Sequence, residues 1–513
     1  MYSDHRVMKT VLSLCHIVFA SLVLACQATA QNLIQGNSSQ KNATVLILGG
    51  GVAGVIAART LHEQGINDFI IVEAREELGG RLINLNFGAP GRNYSVEVGA
   101  GWIKGTQSGN GPANPIWKLA KKHNLTTQTS DWYGSITTYD YNGYNDYLDV
   151  FNNAVDAYTN VTIAAGERVQ QQAVDLTLQT GYSLLGSAAH TPQESASIYY
   201  QTDLQYVQSL AETSWIASSW RHNFTYNPAA GGFSNVNEMC VDQRGFSSII
   251  QEEAKEFLQP NQQLTNHTIG TIVYNEQGVT VTTTNGTTLS ADYALCTFSL
   301  GVLQHYDVKF EPSLPSWKME AIQSMTMASY TKILLQFPNN FWFDTQMAIY
   351  ADRLRGRFPV WQNFDIEGFL PGSGIIVATA TGDYSLQLES LTNAEVQANV
   401  MKVLQAMYPN VTIPDPLDFH FTRWNSDPIY RGSFATWPAA FIPGHSQNLK
   451  ATVSDRLWFA GEATSLKYFG TLQGAYFEGA SVAEAMSSCI RGGDQCEGLR
   501  HTNTVVNAEP YSI

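Results

Sequence analysis

One short stretch, residues 45–73, constrains the fold of this chain more than any other. Apolar residues 45–48 predict a buried strand, residues 52–64 show helical periodicity, and a second apolar run, 69–72, ends at Glu73. Between the first strand and the helix stand three glycines with the spacing G-x-G-x-x-G, namely Gly49, Gly51 and Gly54. Such a unit places a pyrophosphate at the helix N-terminus and a carboxylate beside the ribose, so it predicts a dinucleotide site.

Length and composition limit the class of protein. At 513 residues the chain exceeds one ordinary core, so we expect two interleaved domains. A content of 44% hydrophobic and 14% charged residues is typical of a packed globular protein. A formal net charge of −15 argues against nucleic acid as a partner.

The N-terminus has the three parts of a secretory signal peptide. Two basic residues, Arg6 and Lys9, precede a mostly apolar run over residues 11–25, and an A-x-A site follows at 28–30. We therefore predict a signal peptide over residues 1–30, a secreted protein and no membrane association after cleavage. A retained N-terminal anchor stays as the alternative.

Glycosylation sequons and cysteines agree with secretion. Nine asparagines start an N-x-[S/T] triplet: Asn37, Asn42, Asn93, Asn124, Asn160, Asn223, Asn266, Asn285 and Asn410. Cys489 and Cys496 are close enough in sequence to form a disulfide in an oxidising compartment. Cys240 and Cys296 are expected to be buried thiols, and the cysteine spacing predicts no metal site.

Changes in pattern along the chain predict its domains. Helical periodicity dominates from about 114 to 220, whereas alternating β-branched residues between turn signals predict a β-meander over 268–298. The predicted fold class is α/β, with a discontinuous Rossmann-like dinucleotide-binding domain and an interleaved α+β substrate domain. We assign a flexible leader to 31–43, the dinucleotide domain to 44–113, 232–312 and 450–488, the substrate domain, or cap, to 114–231 and 313–449, and a C-terminal tail to 489–513.

Five motifs resemble those of the flavin-containing amine oxidases of the monoamine and polyamine oxidase type. In chain order they read GGGVAG…VEAREELGGR, VEVGAGWIKG, ADYALCTFSLGVL, YTKILLQFP and FAGEAT…GTLQGAYFEG. The resemblance extends from residue 45 to about 486 and is strongest to the secreted polyamine oxidases of plants and fungi. It implies FAD as cofactor and oxidation of an amine to an imine, which water hydrolyses while O2 is reduced to hydrogen peroxide.

The resemblance also assigns cofactor-binding positions. Glu73 matches the ribose-binding acid, Arg81 a phosphate-side arginine, Ile269 the residue beside adenine and Glu462 the acid beside the ribityl-pyrophosphate. The remaining expected cofactor contacts are Gly49, Gly51, Val52, Ala53, Gly54, Ala74, Arg75, Gly80, Gly99, Ala100, Gly101, Trp102, Ile103, Thr471 and Leu472. Residues 465–473 contain no cysteine where the covalent-flavin members have one, so the resemblance implies non-covalent FAD.

Lys332, in the motif YTKILLQFP, matches the family lysine that holds a water against flavin N5. We therefore predict Lys332 as the catalytic residue, since a positive charge there can stabilise negative charge that develops during oxygen reduction. The alternative is that Lys332 is an ordinary strand lysine pointing to solvent.

The expected substrate contacts depart from the plant pattern. Phe434 matches one of two aromatic residues beside the substrate path, but Thr471 stands where the other, a tyrosine, is expected. Lys104 replaces an acid that meets polyamine nitrogens, and Asn223 falls on a second acid position. We also expect Phe224 and Tyr330 to contact substrate. A polycation would be repelled by this change of charge, unless Lys104 points away and acids such as Asp131 or Asp242 compensate.

The leading prediction is a secreted FAD-dependent amine oxidase with a polyamine, such as spermine or spermidine, as substrate. Rival predictions are a monoamine oxidase and an L-amino-acid oxidase that binds a carboxylate through Arg353, Arg355 or Arg357. A catalytically silent FAD-binding protein is a further possibility from another class. The motifs GGR and FAGEAT argue against a nicotinamide dehydrogenase.

Overall fold

A computed structural model describes residues 42–492 and 497–502. The predicted signal peptide, most of the predicted leader and Cys496 lie outside the described residues. The first strand begins at Ala43, so the final residue of the predicted leader belongs to the fold.

An eight-stranded sheet contains the predicted dinucleotide unit. Seven of its strands lie side by side in the order Gln263–Leu264, Phe69–Val72, Ala43–Leu48, Thr288–Cys296, Gly278–Thr283, Ile269–Asn275 and Lys309–Glu311. The eighth strand, Leu457–Phe459, pairs in parallel with the C-terminal half of Thr288–Cys296. Parallel pairing around Ala43–Leu48 and a β-meander beside it confirm the predicted α/β class with a Rossmann-like sheet.

The centre of this sheet is fully apolar because both faces are covered. Val45, Leu46, Ile47 and Leu48 have 0% exposure, as expected for a central parallel strand. Burial of each such aliphatic side chain stabilises the fold by about 1.5–3 kcal/mol. Helix Val52–Glu63 packs on one face of the strand, so the phosphate-binding turn is held between two rigid elements.

A seven-stranded sheet forms the second core. Its strands lie in the order Asp418–Phe421, Tyr330–Gln336, Ile375–Thr381, Val360–Asn363, Met347–Ala351, Ile136–Asp140 and Gly143–Tyr144. Every residue of Ile375–Thr381 is buried, because helix Asn393–Met407 covers one face and other segments cover the opposite face. Strand Tyr330–Gln336, which carries Lys332, runs between Asp418–Phe421 and Ile375–Thr381.

Three smaller sheets connect the two large ones. They pair Asn84–Phe87 with Tyr94–Glu97, Thr326–Ala328 with Phe434–Thr436, and Asn237–Cys240 with both Trp102–Ile103 and Thr127–Ser130. These pairings hold two predicted site segments, Trp102–Ile103 and Phe434, whereas Lys332 belongs to the seven-stranded sheet.

The other helices are distributed over the cores beside both large sheets. Their bounds are Pro115–Lys122, Leu148–Gln170, Leu178–Leu184, Pro192–Gln201, Asp203–Tyr206, Trp215–Tyr226, Ser248–Lys255, Leu300–Gln304, Ser316–Gln323, Gly382–Glu389, Pro443–Lys450 and Leu472–Gly492. Three short 3₁₀ turns are Pro228–Ala230, Pro260–Gln262 and Glu462–Thr464. Among the described helices, none has the length and apolarity needed to cross a bilayer.

Several segments pack in the core of a different domain from the one predicted for them. Helix Pro115–Lys122, assigned to the cap, buries Ile116 and Leu119 in the same core as helix Val52–Glu63. Helix Ser316–Gln323, also assigned to the cap, packs against the opposite face of the eight-stranded sheet. The reason is that each helix has an apolar face, and sequence periodicity does not say which sheet that face covers.

The predicted C-terminal tail is partly ordered structure. Helix Leu472–Gly492 continues past the predicted boundary at 488, and Cys489 is buried within it and disulfide-bonded. Its predicted partner, Cys496, lies outside the described residues. Farther on, the Leu499 carbonyl accepts a 2.8 Å hydrogen bond from the Thr452 amide, which ties the chain end to the main fold.

A test of the strand–helix packing is the variant Gly54→Ala. A methyl group at Gly54 would lie 2.0 Å from the Gly49 carbonyl oxygen, so we expect the free energy of unfolding to fall by about 1–3 kcal/mol. The control is Gly166→Ala, also within a helix, where nothing lies within 4 Å and stability should rise by about 0.5–1 kcal/mol. Urea denaturation measures both variants, and an unchanged Gly54→Ala would contradict the packing.

Candidate active site

A deep cavity, about 270 Å³ in volume, extends from the glycine turn to Lys104. Most of the predicted cofactor residues lie in its wall: Gly49, Gly51, Val52, Ala53, Glu73, Ala74, Gly80, Arg81, Gly99, Ala100, Gly101, Trp102, Ile269, Glu462, Thr471 and Leu472. Predicted catalytic and substrate residues also line it, namely Lys104, Tyr330, Lys332, Phe434 and again Thr471. Segments far apart in sequence thus meet around one space.

Three predicted cofactor residues lie behind this wall. Gly54 permits close packing of the helix on the strand, because a side chain at this position would meet the Gly49 carbonyl. The Arg75 guanidinium turns back to donate a 3.0 Å hydrogen bond to the Gly80 carbonyl. Ile103 is 1% exposed and belongs to the hydrophobic core. The structure therefore places these residues as supports of the wall, although the sequence predicted contacts with the cofactor.

Two predicted substrate residues are also absent from the described part of the wall. Asn223 and Phe224 lie on helix Trp215–Tyr226, and the Phe224 ring packs near Tyr468 and the Lys467 ammonium. No residue of this helix is found in the described wall of the cavity. The predicted contact of Asn223 and Phe224 with substrate is thus not supported by the cavity.

The glycine turn fits a dinucleotide. Gly51 is the N-cap of helix Val52–Glu63 and has no side chain that could cap the helix. The first residues of the helix, Val52 and Ala53, line the cavity, so the N–H groups at this end of the helix are placed to bind a phosphate. Gly49 has a φ of +116°, which other residues rarely adopt, and a methyl group there would meet the Thr297 hydroxyl at 2.5 Å. Only glycine keeps this approach open.

Glu73 lies at the end of the second strand, as predicted from its spacing. Its carboxylate accepts hydrogen bonds from the backbone amides of Gly50, at 2.6 Å, and Arg75, at 2.8 Å. Burial raises the pKa of Glu73, and these hydrogen bonds oppose that effect. The fixed carboxylate lines the cavity, where it can accept hydrogen bonds from ribose hydroxyls.

Arg81 and Glu462 form an ion pair in the middle of the wall. The Arg81 Nη1 atom lies 3.0 Å from Glu462 Oε1 and donates a 2.8 Å hydrogen bond to the Ser433 carbonyl. Glu462 Oε2 accepts a 2.8 Å hydrogen bond from the Gly470 amide. The guanidinium stays available to a phosphate because an arginine carries five N–H donors.

Lys332 points into the protein, so the alternative of a solvent-facing strand lysine is wrong. Its Nζ atom donates 2.7 Å hydrogen bonds to the carbonyls of Glu97 and Gly99 and lies 5.3 Å from the centre of the Trp102 ring. Burial lowers the pKa of Lys332 below the usual range of lysine, and the nearby Glu97 carboxylate opposes this shift. An ammonium has three N–H donors, so one remains for a water or a ligand.

Glu97 is a functional candidate that the sequence analysis did not single out. Its Oε1 atom accepts a 2.6 Å hydrogen bond from the Phe246 amide, and the Cys240 thiol lies 3.7 Å away. Its Oε2 atom is buried without a hydrogen-bond partner among the described residues. Burial raises the pKa of Glu97, and Lys332 lowers it. The acid was visible in VEVGAG, but its closeness to Lys332 depends on the pairing of distant strands.

Lys104 faces the cavity at the far side of Trp102. Its Nζ atom donates a 2.9 Å hydrogen bond to the Gln205 side chain and lies 5.9 Å from the centre of the Trp132 ring. Burial and, to a smaller extent, the nearby Arg221 lower the pKa of Lys104 to about 7. Neither Asp131 nor Asp242 belongs to the described wall, so the predicted compensation by these acids is not found there.

Aromatic residues surround the space between Lys332 and Lys104. Tyr330 and Phe434, both predicted, have ring centres 6.4 Å apart. The sequence analysis missed four further aromatic residues of the wall: Trp132, Phe298, Trp424 and Tyr430. Aromatic residues are common throughout this chain, and only the fold separates those in the wall from those in the core.

The arginines proposed for carboxylate binding lie elsewhere. Arg355 pairs with Asp203 at 2.7 Å, Arg357 is 3.5 Å from Asp352, and Arg353 stacks over the Tyr141 ring. None of the three is found in the described wall of the cavity. The prediction that one of them would clamp a substrate carboxylate is therefore not supported.

Titratable groups outside the cavity have structural partners. His123, Glu253 and Glu256 are close enough to share a cation, but the Lys122 ammonium already lies 2.7 Å from Glu253 and 2.6 Å from Glu256. A positive side chain thus occupies this cluster. Cys240 and Cys296 are buried free thiols, as predicted.

Comparisons with known proteins agree with this geometry. The sequence pattern of the flavin containing amine oxidoreductase family matches residues 52–487. Polyamine oxidase 7 of Oryza sativa subsp. japonica is 30% identical over 486 residues, which cover 90% of this chain and 98% of the relative. Polyamine oxidase 1 of Zea mays is 30% identical over 503 residues, covering 92% of this chain and 96% of the relative.

A solved structure shares the fold. Cyclohexylamine oxidase from Brevibacterium oxydans IH-35A superposes with a TM-score of 0.68 at 18% sequence identity, covering 88% of this chain and 100% of that chain. The predicted resemblance, the FAD cofactor and the flavin-dependent enzyme class are confirmed. This chain belongs to the flavin containing amine oxidoreductase family.

Proposed function

We propose that the protein is a secreted, FAD-dependent oxidase that converts an amine to an imine and then a carbonyl compound, with hydrogen peroxide as the second product. The observation that carries the proposal is the position of Lys332, buried beside Trp102 in the same cavity as the dinucleotide turn. Bound FAD supplies the redox chemistry, taking two electrons from the amine and passing them to O2.

The residues of the chain orient the reactants. Gly99, Ala100 and Gly101 present a wall with little side-chain bulk, against which a planar ring can lie. The free donor of Lys332 can hold a water at this wall, and its charge favours the development of negative charge on oxygen.

The same wall favours the neutral form of the substrate amine. Lys332 faces the reaction space, and a nearby positive charge lowers the pKa of a second cation. An amine must have a free electron pair at nitrogen to become an imine. The charge of Lys332 thus helps to deprotonate the substrate without acting as a base.

FAD is proposed to bind without a covalent link. Residues 465–473, which lead into helix Leu472–Gly492, contain no cysteine. The dinucleotide is held instead by backbone amides at the glycine turn, the Glu73 carboxylate and the Arg81–Glu462 pair.

Two substrate classes have support from different observations. The names of the rice and maize relatives support a polyamine. An amine with an uncharged or anionic tail is favoured by Lys104, because a polyamine would bring further positive charges against that ammonium. The retained Lys332 and the complete dinucleotide wall argue against the alternative of a catalytically silent FAD-binding protein.

A peroxidase-coupled assay of the purified yellow protein tests the proposed activity. The panel comprises spermine, spermidine, their acetylated forms, aliphatic monoamines and L-amino acids. We expect peroxide with at least one amine class. FAD should stay with the protein during dialysis and be released on denaturation, with no flavin left attached to the chain. No peroxide and no bleaching of the flavin with any amine would contradict the oxidase.

Lys332→Met tests the catalytic assignment. Since the variant removes a preorganised donor, we expect amine oxidation or reaction with O2 to slow by roughly a hundredfold or more while FAD stays bound. Lys332→Arg keeps the charge but does not titrate in the accessible range. The wild-type rate should therefore change with pH at values below the usual pKa range of lysine, and this pH dependence should vanish in Lys332→Arg. Stopped-flow absorbance measures both steps, and unchanged kinetics in Lys332→Met would contradict the role.

Secretion is tested by expression of the full chain in a eukaryotic host. Export should yield a mature N-terminus at Gln31, and enzymatic removal of N-glycans should lower the apparent mass. Mass spectrometry of the protein from the medium and from the cells measures its N-terminus and its glycans. A full-length, cell-retained protein without glycans would overturn the proposal of a secreted enzyme.

A further inference from the structure

The charge of the cavity is unevenly distributed. The carboxylates in its described wall are Glu73 and Glu462. Glu73 is held by the amides of the glycine turn, and Glu462 is paired with Arg81, so both belong to the dinucleotide part. Lys332 and Lys104 lie at the other end, where the buried Glu97 carboxylate behind the wall balances Lys332. Around Lys104, in contrast, the described wall holds no carboxylate.

Lys104 has only a neutral partner. Its hydrogen bond to the Gln205 side chain uses one of three ammonium donors, and no carboxylate lies within 4 Å among the described residues. Charged groups inside proteins are usually paired, because burial without a counter-charge is unfavourable. An ammonium left unpaired in a cavity wall is therefore suited to an anion that arrives with a ligand.

A second buried cation adds to this field. Arg221 is 4% exposed, and its Nη2 atom donates a 2.5 Å hydrogen bond to the backbone carbonyl of Gln205. Its Nη1 atom is buried without a hydrogen-bond partner in the described part of the chain. Arg221 also lies against Gly470, a residue of the cavity wall. Gln205 thus joins two cations at the substrate end.

We propose that the substrate is an amine whose far end carries a carboxylate, and that Lys104 binds this carboxylate. The proposal rests on the proposed oxidase function and names its substrate class. In the bound state, the Lys104 ammonium would donate a charge-assisted hydrogen bond to the carboxylate, while the amine lies beside Lys332.

The spacing of the two lysines favours an ω-amino carboxylate over an α-amino acid. Lys332 lies 5.3 Å from the Trp102 ring, Trp102 lies 5.4 Å from the Trp132 ring, and Lys104 lies 5.9 Å from the latter. A tryptophan pair therefore separates the two ends. An α-amino acid holds its carboxylate next to the reacting carbon, whereas a chain of several methylene groups can pass along the aromatic wall.

Three amines of equal length test the proposal because they differ only in the charge of the tail. They are ε-aminohexanoate, hexylamine and hexamethylenediamine, with an anionic, neutral and cationic far end. We expect kcat/KM to be highest for ε-aminohexanoate and lowest for the diamine, with roughly a tenfold to hundredfold difference between hexylamine and ε-aminohexanoate. A preference for the diamine or for hexylamine would overturn the proposal.

Substitutions of Lys104 assign the preference to one side chain. Lys104→Met should abolish the advantage of ε-aminohexanoate over hexylamine, and Lys104→Glu should reverse the order so that the diamine is best. The matched control is Lys121→Met, since Lys121 also lies over a tryptophan, Trp117, but is exposed and outside the cavity. It should keep the wild-type order. An unchanged order in Lys104→Met would contradict the role of Lys104.

A binding measurement separates this proposal from the oxidase function. Hexanoate has the carboxylate but no amine, so calorimetric titration of the FAD-loaded protein with hexanoate reports only tail binding. We expect binding to the wild type and to Lys121→Met, and at least tenfold weaker binding to Lys104→Met. Binding of hexanoate without turnover of any amine would contradict the oxidase function alone. Equal affinity of Lys104→Met and the wild type for hexanoate, or turnover without a charge preference, would contradict the carboxylate site alone.

Discussion

The two hydrogen bonds of the Lys332 ammonium hold the active site together. They join strand Tyr330–Gln336 of the seven-stranded sheet to two carbonyls at the end of a separate hairpin: that of Glu97, the last residue of strand Tyr94–Glu97, and that of Gly99, two residues later. A buried charge is tolerated only when polar groups surround it, so the chain near Gly99 has to turn its carbonyls towards the lysine. That turn has no room for side chains, because a methyl group at Gly99 would lie 2.0 Å from the Arg81 carbonyl. The same constraint that stabilises the lysine thus produces the smooth wall for the flavin.

Charge divides the cavity into two parts with different tasks. At the dinucleotide end, Glu73 and Glu462 are held by backbone amides and by Arg81, so their negative charge is used for fixed hydrogen bonds. At the other end, Lys332 and Lys104 leave a positive field in a space walled by aromatic rings. Charges act more strongly there than in bulk water, because aromatic rings lower the polarity of their surroundings. The proposed substrate choice therefore depends on the charge of the amine's tail.

The relatives and the site lead to different substrates, and the difference is informative. Polyamine oxidases at 30% identity share the family and its cofactor, whereas substrate choice depends on a few side chains in the wall. Lys104 is proposed as such a side chain, since one ammonium in a cavity wall can change the preferred charge of a ligand. Its neighbour Arg221, on helix Trp215–Tyr226, adds a second positive charge, and the neutral Gln205 accepts hydrogen bonds from both cations.

Local sequence determined the parts of this protein that depend on neighbours in the chain. The strand, glycine turn, helix and acid of residues 45–73 were predictable because turn geometry and periodicity are local properties, and the five motifs identified the family and its cofactor. Only the tertiary structure decided which helix covers which sheet, as with Pro115–Lys122, and that Asn223 and Phe224 stay outside the cavity wall. It also brought Glu97 beside Lys332 and turned Lys104 into the cavity. These outcomes depend on the pairing of strands that are hundreds of residues apart, and neither composition nor spacing encodes the direction of a side chain across such a distance.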